Sequence, residues 1–426
     1  MIKIIKTGFI YFLLSAICAG SVFAQSLSAD ERKIAAAVDA ESAQLVVLLE
    51  KIVNIESPTE NLAGVKNVGL IFKKELEALG FNARWIEMPP EMKRAGHLIA
   101  ERPGGKGKRL LLLGHLDTVL SGEKFRRDGN IAYGTGISDM KAGNAVLLYA
   151  LKAMHAAGTL NDANITVLLT GDEENSGDPI ETSRGDMIAA ARRSDLVLSF
   201  ENGGNGVATV ARRGIGGWEL EVTAKTGHSS QIFKETMGAG AIFEAARIIN
   251  QFYETLSKEK YLTFNPGLIV GGTQAESADF TGNATGKSNV VAARAIVRGD
   301  LRFISKEQEA TARRKMREIV AQNLPGTTAK ITFSDGIPAM SPTDANYELL
   351  KRLDAVSRDL GFGEIKPLDA GERGAGDISY VTHLIPGLDG LGAIGSKAHA
   401  PGEFVELNSL PQQTKRAALL IYRLTR

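Results

Sequence analysis

Residues 110–119 read LLLLGHLDTV: four leucines in a row, a glycine, then a histidine and an aspartate two positions apart. A strand that is apolar without alternation has both faces covered, the habit of inner strands in layered α/β sheets. Two further runs of this kind, Ile165–Thr170 and Leu196–Phe200, end in Gly171-Asp172-Glu173-Glu174 and in Glu201. In open α/β sheets the ligand crevice lies beyond the carboxyl ends of the strands. His115, Asp117, Glu173, Glu174 and Glu201 are therefore predicted to converge, joined by Asp139 from the glycine-rich turn Gly136-Ile137-Ser138-Asp139. Crowded carboxylates must protonate or share a cation. Histidine with Asp/Glu and no cysteine suits zinc best, with manganese and cobalt as alternatives.

Outward from these strands, helical spacing of apolar residues predicts helices over Asp30–Ile55, Val65–Leu79, Ala142–Ala157 and Asp186–Ala191, and strands over Ala83–Glu87 and His97–Glu101. The pattern changes near Arg213. Trp218, Leu220, Val222 and Ala224 alternate with polar residues, as do Val291, Ala293, Ala295, Val297 and Leu301, which predicts half-buried strands. Helices over Ala239–Tyr253 and Lys306–Ala321 and a strand Ala329–Phe333 accompany them, and helix Asn346–Leu360 with an apolar strand near Leu388–Ile394 restores the first pattern. The fold class is α/β: a mixed sheet flanked by helices, carried by residues 25–212 and 337–426, with an inserted α+β domain over 213–336 that holds an antiparallel sheet.

The 426 residues carry 50 Lys+Arg against 49 Asp+Glu, with no long block of one sign, so nothing points to nucleic acid. Lys3 and Lys6 precede an apolar run, Gly8–Ile17, and Val22 and Ala24 fit a signal-peptidase site, so residues 1–24 read as a cleavable secretory signal. An uncleaved anchor over Thr7–Ala29 is the alternative. The expected location is the periplasm or the exterior, with no membrane attachment after cleavage. The only cysteine, Cys18, leaves with the leader, which excludes disulfides and a cysteine nucleophile.

GHLDTV, GTGISDMKAG, TGDEENSG, SFENG, TGHSS and SKAHAPGEFVEL occur in that order from residue 114 to residue 407. This succession resembles the di-zinc exopeptidase family of carboxypeptidase G, aminoacylase and succinyl-diaminopimelate desuccinylase, with carboxypeptidase G the most similar member. The resemblance implies two Zn²⁺ per chain: His115 and Glu201 on one, Glu174 and His399 on the other, and Asp139 bridging. It implies Glu173 as general base, Asp117 as the carboxylate orienting the His115 ring, and a cis peptide at Asp139-Met140. It further implies a homodimer through the inserted lid domain, in which His228 reaches the partner's active site to stabilise the oxyanion; a loop histidine capping a helix is the alternative. Asn289 and Arg302 match positions that hold the substrate's free carboxylate, although Arg294, Arg298 and Arg302 share one strand face that could simply be solvated.

The remaining histidines, His97, His155 and His383, read as structural. Gly374-Ala375-Gly376-Asp377 resembles a substrate-side loop, its role open. Where glutamate-releasing relatives carry an arginine between Gly and Pro, this chain has Ile337, which puts a strict glutamate preference in question. The expected activity is hydrolysis of an amide beside a free carboxylate, in a small peptide or N-acyl amino acid. An N-acyl-amino-acid deacylase is the near rival, and a non-catalytic binding protein on the same fold the distant one.

Overall fold

The computed structural model describes residues 27–278 and 281–426, so the expected leader lies outside the described residues. Helices α1 (Ala29–Val53) and α2 (Leu62–Ala78) precede strands β1 (Asn82–Ile86), β2 (His97–Arg102) and β3 (Lys106–His115). Helix α3 (Ala142–Ala156), strand β4 (Ala163–Thr170), helix α4 (Gly185–Ala191) and strand β5 (Leu196–Ser199) follow. Next come β6 (Gly214–Ala224), α5 (Ala241–Leu256), β7 (Thr263–Gly272), the hairpin β8 (Gln274–Ala278) and β9 (Thr281–Thr285), β10 (Arg294–Phe303), α6 (Lys306–Val320) and β11 (Thr327–Ser334). The chain closes with α7 (Asp344–Asp359), β12 (Gly387–Leu388) and α8 (Ser409–Leu424).

The central sheet runs β1-β2-β4-β3-β5-β12. Strand β3 is parallel to β4 and β5, and β5 to β12, while β1 and β2 are antiparallel. The four leucines explain the layering. Leu110 and Leu112 face one apolar cluster with α1, α3 and α8, and Leu111 and Leu113 face another with Met187, Ala190 and Ala191 of α4. Each leucine is at most 1% exposed. A sheet buried on both faces leaves only the strand ends for polar chemistry.

Helix α8 is absent from the sequence reading. Its start, SLPQQTKRAALL, is polar for two turns, yet Ala417 to Ile421 are buried against α1 and α3. Arg423 Nε donates to Glu31 Oε1 at 2.6 Å, tying the two ends of the described chain together. Glu31 also completes a capping box with Ser28 that starts α1. The strand expected near Leu388–Ile394 pairs with β5 over only two residues. Beyond them Gly392 is pressed on the backbone, where a Cβ would lie 2.3 Å from the Phe200 oxygen.

The second sheet, β7-β10-β6-β11, is antiparallel and built from residues 214–334 alone. Its inner face carries Trp218, Leu220, Val222, Val297 and Leu301 against α5 and α6, with Trp218 edge-on to Phe252 at 5.8 Å. Strand β7 escaped the sequence reading because it contains Pro266, which is accommodated at a bulge on an edge strand. The hairpin β8–β9 lies over the outer face, with Gly282 against Val270 and Leu268. No helix among the described residues is long and apolar enough to cross a membrane.

Candidate metal centre

Three neighbouring strands of the central sheet, β4, β3 and β5, deliver polar residues at their carboxyl ends. His115 ends β3, Glu173 and Glu174 follow β4, and Glu201 follows β5. Asp139 comes from the turn before α3, and its peptide to Met140 is cis, as the resemblance implied. His399 arrives on a loop with φ of 61°, a left-handed backbone that non-glycine residues adopt rarely and mostly at special sites.

Asp139 stands between the two imidazoles. Its Oδ1 is 3.1 Å from His115 Nε2, and its Oδ2 is 3.1 Å from His399 Nε2. Glu201 Oε1 approaches His115 Nε2 at 3.7 Å, and Glu174 Oε2 approaches His399 Nε2 at 3.1 Å. The ligand atoms form the groups His115–Asp139–Glu201, Asp139–Glu174–His399 and His115–Glu173–Glu174, each with all atoms within 4.8 Å. Two of these share Asp139, one oxygen for each side. Such a donor set, imidazole and carboxylate without thiolate, fits divalent zinc, manganese or cobalt.

The electrostatics fit a site for a cation. Burial, with Asp139 beside it, pushes the Glu201 carboxyl up to about 8. Burial and the neighbouring carboxylates push Glu173 well above its ordinary value. His399 is pushed up to about 10 by hydrogen bonds with Asp139 and Glu174. Burial opposes a charge on His115, yet Asp117, Asp139 and Glu201 outweigh it and raise its pKa well above the usual value. Asp139 and Asp117, held by the imidazoles, are shifted down instead, and a divalent cation among these groups would displace protons from the carboxyls and imidazoles that are shifted up.

Asp117 is fully buried and does two things. Its backbone oxygen lies 3.1 Å from His115 Nδ1, and its Oδ1 3.5 Å from the same nitrogen. Its carboxylate also accepts the backbone N–H of Glu173 and of Glu174, each at 3.1 Å, and the Thr59 hydroxyl at 2.7 Å. One residue, through its backbone oxygen and its carboxylate, therefore holds the ring on one strand and the Glu173-Glu174 turn on the next. Glu403, which the sequence reading quoted within SKAHAPGEFVEL without a role, does the same for Asp139. It accepts the N–H of Gly136, Ser138 and Asp139 at 2.7 to 2.9 Å. Burial outweighs these bonds and lifts its carboxyl to about 7. The signal that could have found it was a glutamate beside the predicted ligand loop.

Behind Glu173 lies a buried ionic layer. Arg184 Nη1 is 2.6 Å from Asp172 Oδ1, and its Nε is 2.8 Å from Asp377 Oδ1, while Thr170 donates to Asp377 Oδ2. Asp377 belongs to this layer. His97 is buried beside it, bonding Ser183 O at 2.8 Å, whereas His155 and His383 are exposed.

His228, Asn289 and Arg302 make no hydrogen bond or ion pair with these residues. His228 is exposed and caps the turn Ser229–Gln231 through Ser230 N. Asn289 adjoins it, its oxygen accepting Ser229 N at 2.9 Å. Arg302 pairs with Asp300 at 3.1 Å, while Arg294 and Arg298 pair with Glu221 and Glu219. Arg302 is level with Ile215 at the start of β6, and Arg294 with Thr223 near its end. Eight residues of strand, about 26 Å, separate Arg302 from the end that leads to His228.

Residues 111–423 match Peptidase family M20/M25/M40. The chain belongs to this family. This M20 chain is a metallopeptidase by that membership. It is 30% identical over 433 residues to carboxypeptidase G2 of Pseudomonas sp. (strain RS-16), covering 98% of this chain and 97% of the relative. It is 25% identical over 367 residues to succinyl-diaminopimelate desuccinylase of Acidiphilium cryptum (strain JF-5), covering 80% and 88%. The M20 fold extends to a dinuclear metal-binding peptidase of Bacillus subtilis, at TM-score 0.65 and 15% identity over 91% of this chain and 99% of that one.

Proposed function

We propose that the chain is a secreted or periplasmic exopeptidase with two Zn²⁺, which hydrolyses an amide bond beside a free carboxylate and releases a C-terminal amino acid. The observation that carries this reading is Asp139, whose two carboxylate oxygens each stand 3.1 Å from a different imidazole. His115 and Glu201 would hold one ion, His399 and Glu174 the other. When bound, the ions supply an acidified water and polarise the scissile carbonyl. Glu173, next to a ligand and half-buried, takes the proton of the attacking water and passes it to the leaving amine. Asp117 and Glu403 hold the ligands in place.

Arg302 takes the free carboxylate from its own chain, and a second copy of the chain brings Asn289 to the same carboxylate and His228 to the oxyanion, since these two residues lie together at the other end of the sheet. The separation of Arg302 from His228 along the second sheet supports this division of labour, since two copies can bring opposite sheet ends to one site. Residues 213–336 then act as a lid and dimerisation domain between catalytic segments 25–212 and 337–426. Phe233, Ile242, Phe243 and Ile269 lie exposed on that domain, near the free edge of β7.

The likeness to a desuccinylase favours a second reading, in which the acyl group rather than the amino acid is selected. A panel of dipeptides, N-acyl amino acids and their C-terminal amides, run on zinc-loaded protein, decides. Hydrolysis confined to substrates with a free carboxylate is expected; equal rates on the amides would overturn the exopeptidase reading.

A further inference from the structure

The loop Gly371–Asp377 places a second arginine, Arg373, beside the metal centre, and none of the functions above uses it. Its Nη1 donates to Asn202 Oδ1, its Nη2 to the Asn202 backbone oxygen and its Nε to Thr209 Oγ1 at 3.3 Å. Asn202 directly follows the candidate ligand Glu201. All three acceptors are neutral. Among the described residues no carboxylate lies within 4.0 Å of Arg373, whereas its neighbour Arg212 is paired with Asp389 and approaches Glu201 at 3.9 Å.

The charge is held under pressure. Burial and the adjacent Arg212 guanidinium both draw the Arg373 pKa below its ordinary value, and Asp389, Glu201 and Asp139 act on it in the opposite sense. Arg416 of α8 also lacks an acid, but burial alone shifts it, and it packs on Phe362, just beyond α7. Arg373 is different because the field of the metal centre reaches it. The loop is shaped for the pair: a Cβ on Gly376 would stand 2.9 Å from Arg212 Nη1. An arginine has five N–H donors and three here are committed, which leaves one on each Nη. Two neighbouring guanidiniums with spare donors and too few carboxylates call for an incoming anion.

We propose that Arg373 is a specificity residue that binds a second carboxylate of the substrate, distinct from the one assigned to Arg302. This rests on the amide-hydrolase reading. It also answers the departure at Ile337: a cation missing from one loop is supplied by another. The second carboxylate can belong to the released residue, as an acidic side chain, or to the acyl group, as a dicarboxylic acyl.

The test compares kcat/KM for N-acetylglutamate against N-acetylglutamine, and for N-succinylalanine against N-acetylalanine, in zinc-loaded wild type, Arg373→Met and Arg373→Lys. In wild type one pair should favour the doubly charged member, and which pair does so identifies the source of the carboxylate. Arg373→Met should reduce that ratio on the order of 10²-fold, and Arg373→Lys should restore part of it. Equal loss on both members of each pair would mean that Arg373 only positions Asn202 and Glu201, and would overturn the proposal, as would a wild type that favours neither charged member. If no amide is hydrolysed, the amide-hydrolase reading fails separately. Calorimetric binding of glutamate against glutamine, and of succinate against propionate, to wild type and Arg373→Met then decides the subsite: no arginine-dependent preference for the extra carboxylate overturns it.

Discussion

At the residue scale the centre places neighbouring glutamates differently, and the proposed function gives them different tasks. Glu174 lies 3.1 Å from His399, whereas Glu173 is held by its backbone on Asp117 and makes no bond to an imidazole. Glu173→Gln is therefore expected to keep metal content while lowering turnover by about 10²-fold or more. Elemental analysis alongside kinetics checks it, and loss of metal would show the two roles exchanged. Glu403 makes no hydrogen bond or ion pair with a candidate ligand side chain, but three backbone N–H groups around Asp139 end on it. Removing it leaves three buried donors unpaired and frees the turn that aims the bridging carboxylate. Glu403→Ala should weaken metal binding by roughly 10- to 100-fold, measured by competition with a chelator. Unchanged metal affinity would reduce Glu403 to a fold residue.

Among the elements, the runs with one dominant signal were legible and the mixed ones were not. Leu110–Leu113 could only be an inner strand, and its two pairs of leucines do face two separate clusters. Placement of His115, Asp139, Glu174, Glu201 and His399 followed from strand ends and motifs. Strand β7 was hidden by Pro266 and three glycines, and α8 by its polar first turns; both are fixed by tertiary contacts that no local window contains. The separation of Arg302 from His228 was equally invisible, because register belongs to the pairing of β6 with β10. The layering makes a quantitative claim. Leu112 is fully buried in the centre of β3, so Leu112→Ala should cost roughly 2 to 5 kcal/mol, read from denaturant midpoints at constant slope. A loss below about 1 kcal/mol would mean that this strand does not carry the core.

For the whole molecule, the second sheet poses a problem of distance that a two-fold axis solves. His228 and Asn289 sit together at one end of β6, and Arg302 at the other, about 26 Å away by strand rise. A single rigid sheet cannot close both ends on one substrate. On the proposed reading an isologous dimer would give each catalytic centre Arg302 from its own chain and His228 from its partner. The Phe233–Phe243 pair, ring centroids 5.3 Å apart and exposed, with Ile242 and Ile269, supplies the apolar surface such a contact buries. Glu173→Gln and His228→Ala should each be nearly inactive alone. In a mixed dimer one site has both defects and the other has neither. Random exchange makes half the dimers mixed, so an equal mixture should recover roughly a quarter of wild-type activity. Were His228 to act within its own chain, every site in the mixture would carry one defect and nothing would be recovered. Sedimentation showing a monomer, or no recovery after proven subunit exchange, would therefore place the oxyanion donor elsewhere in the same chain.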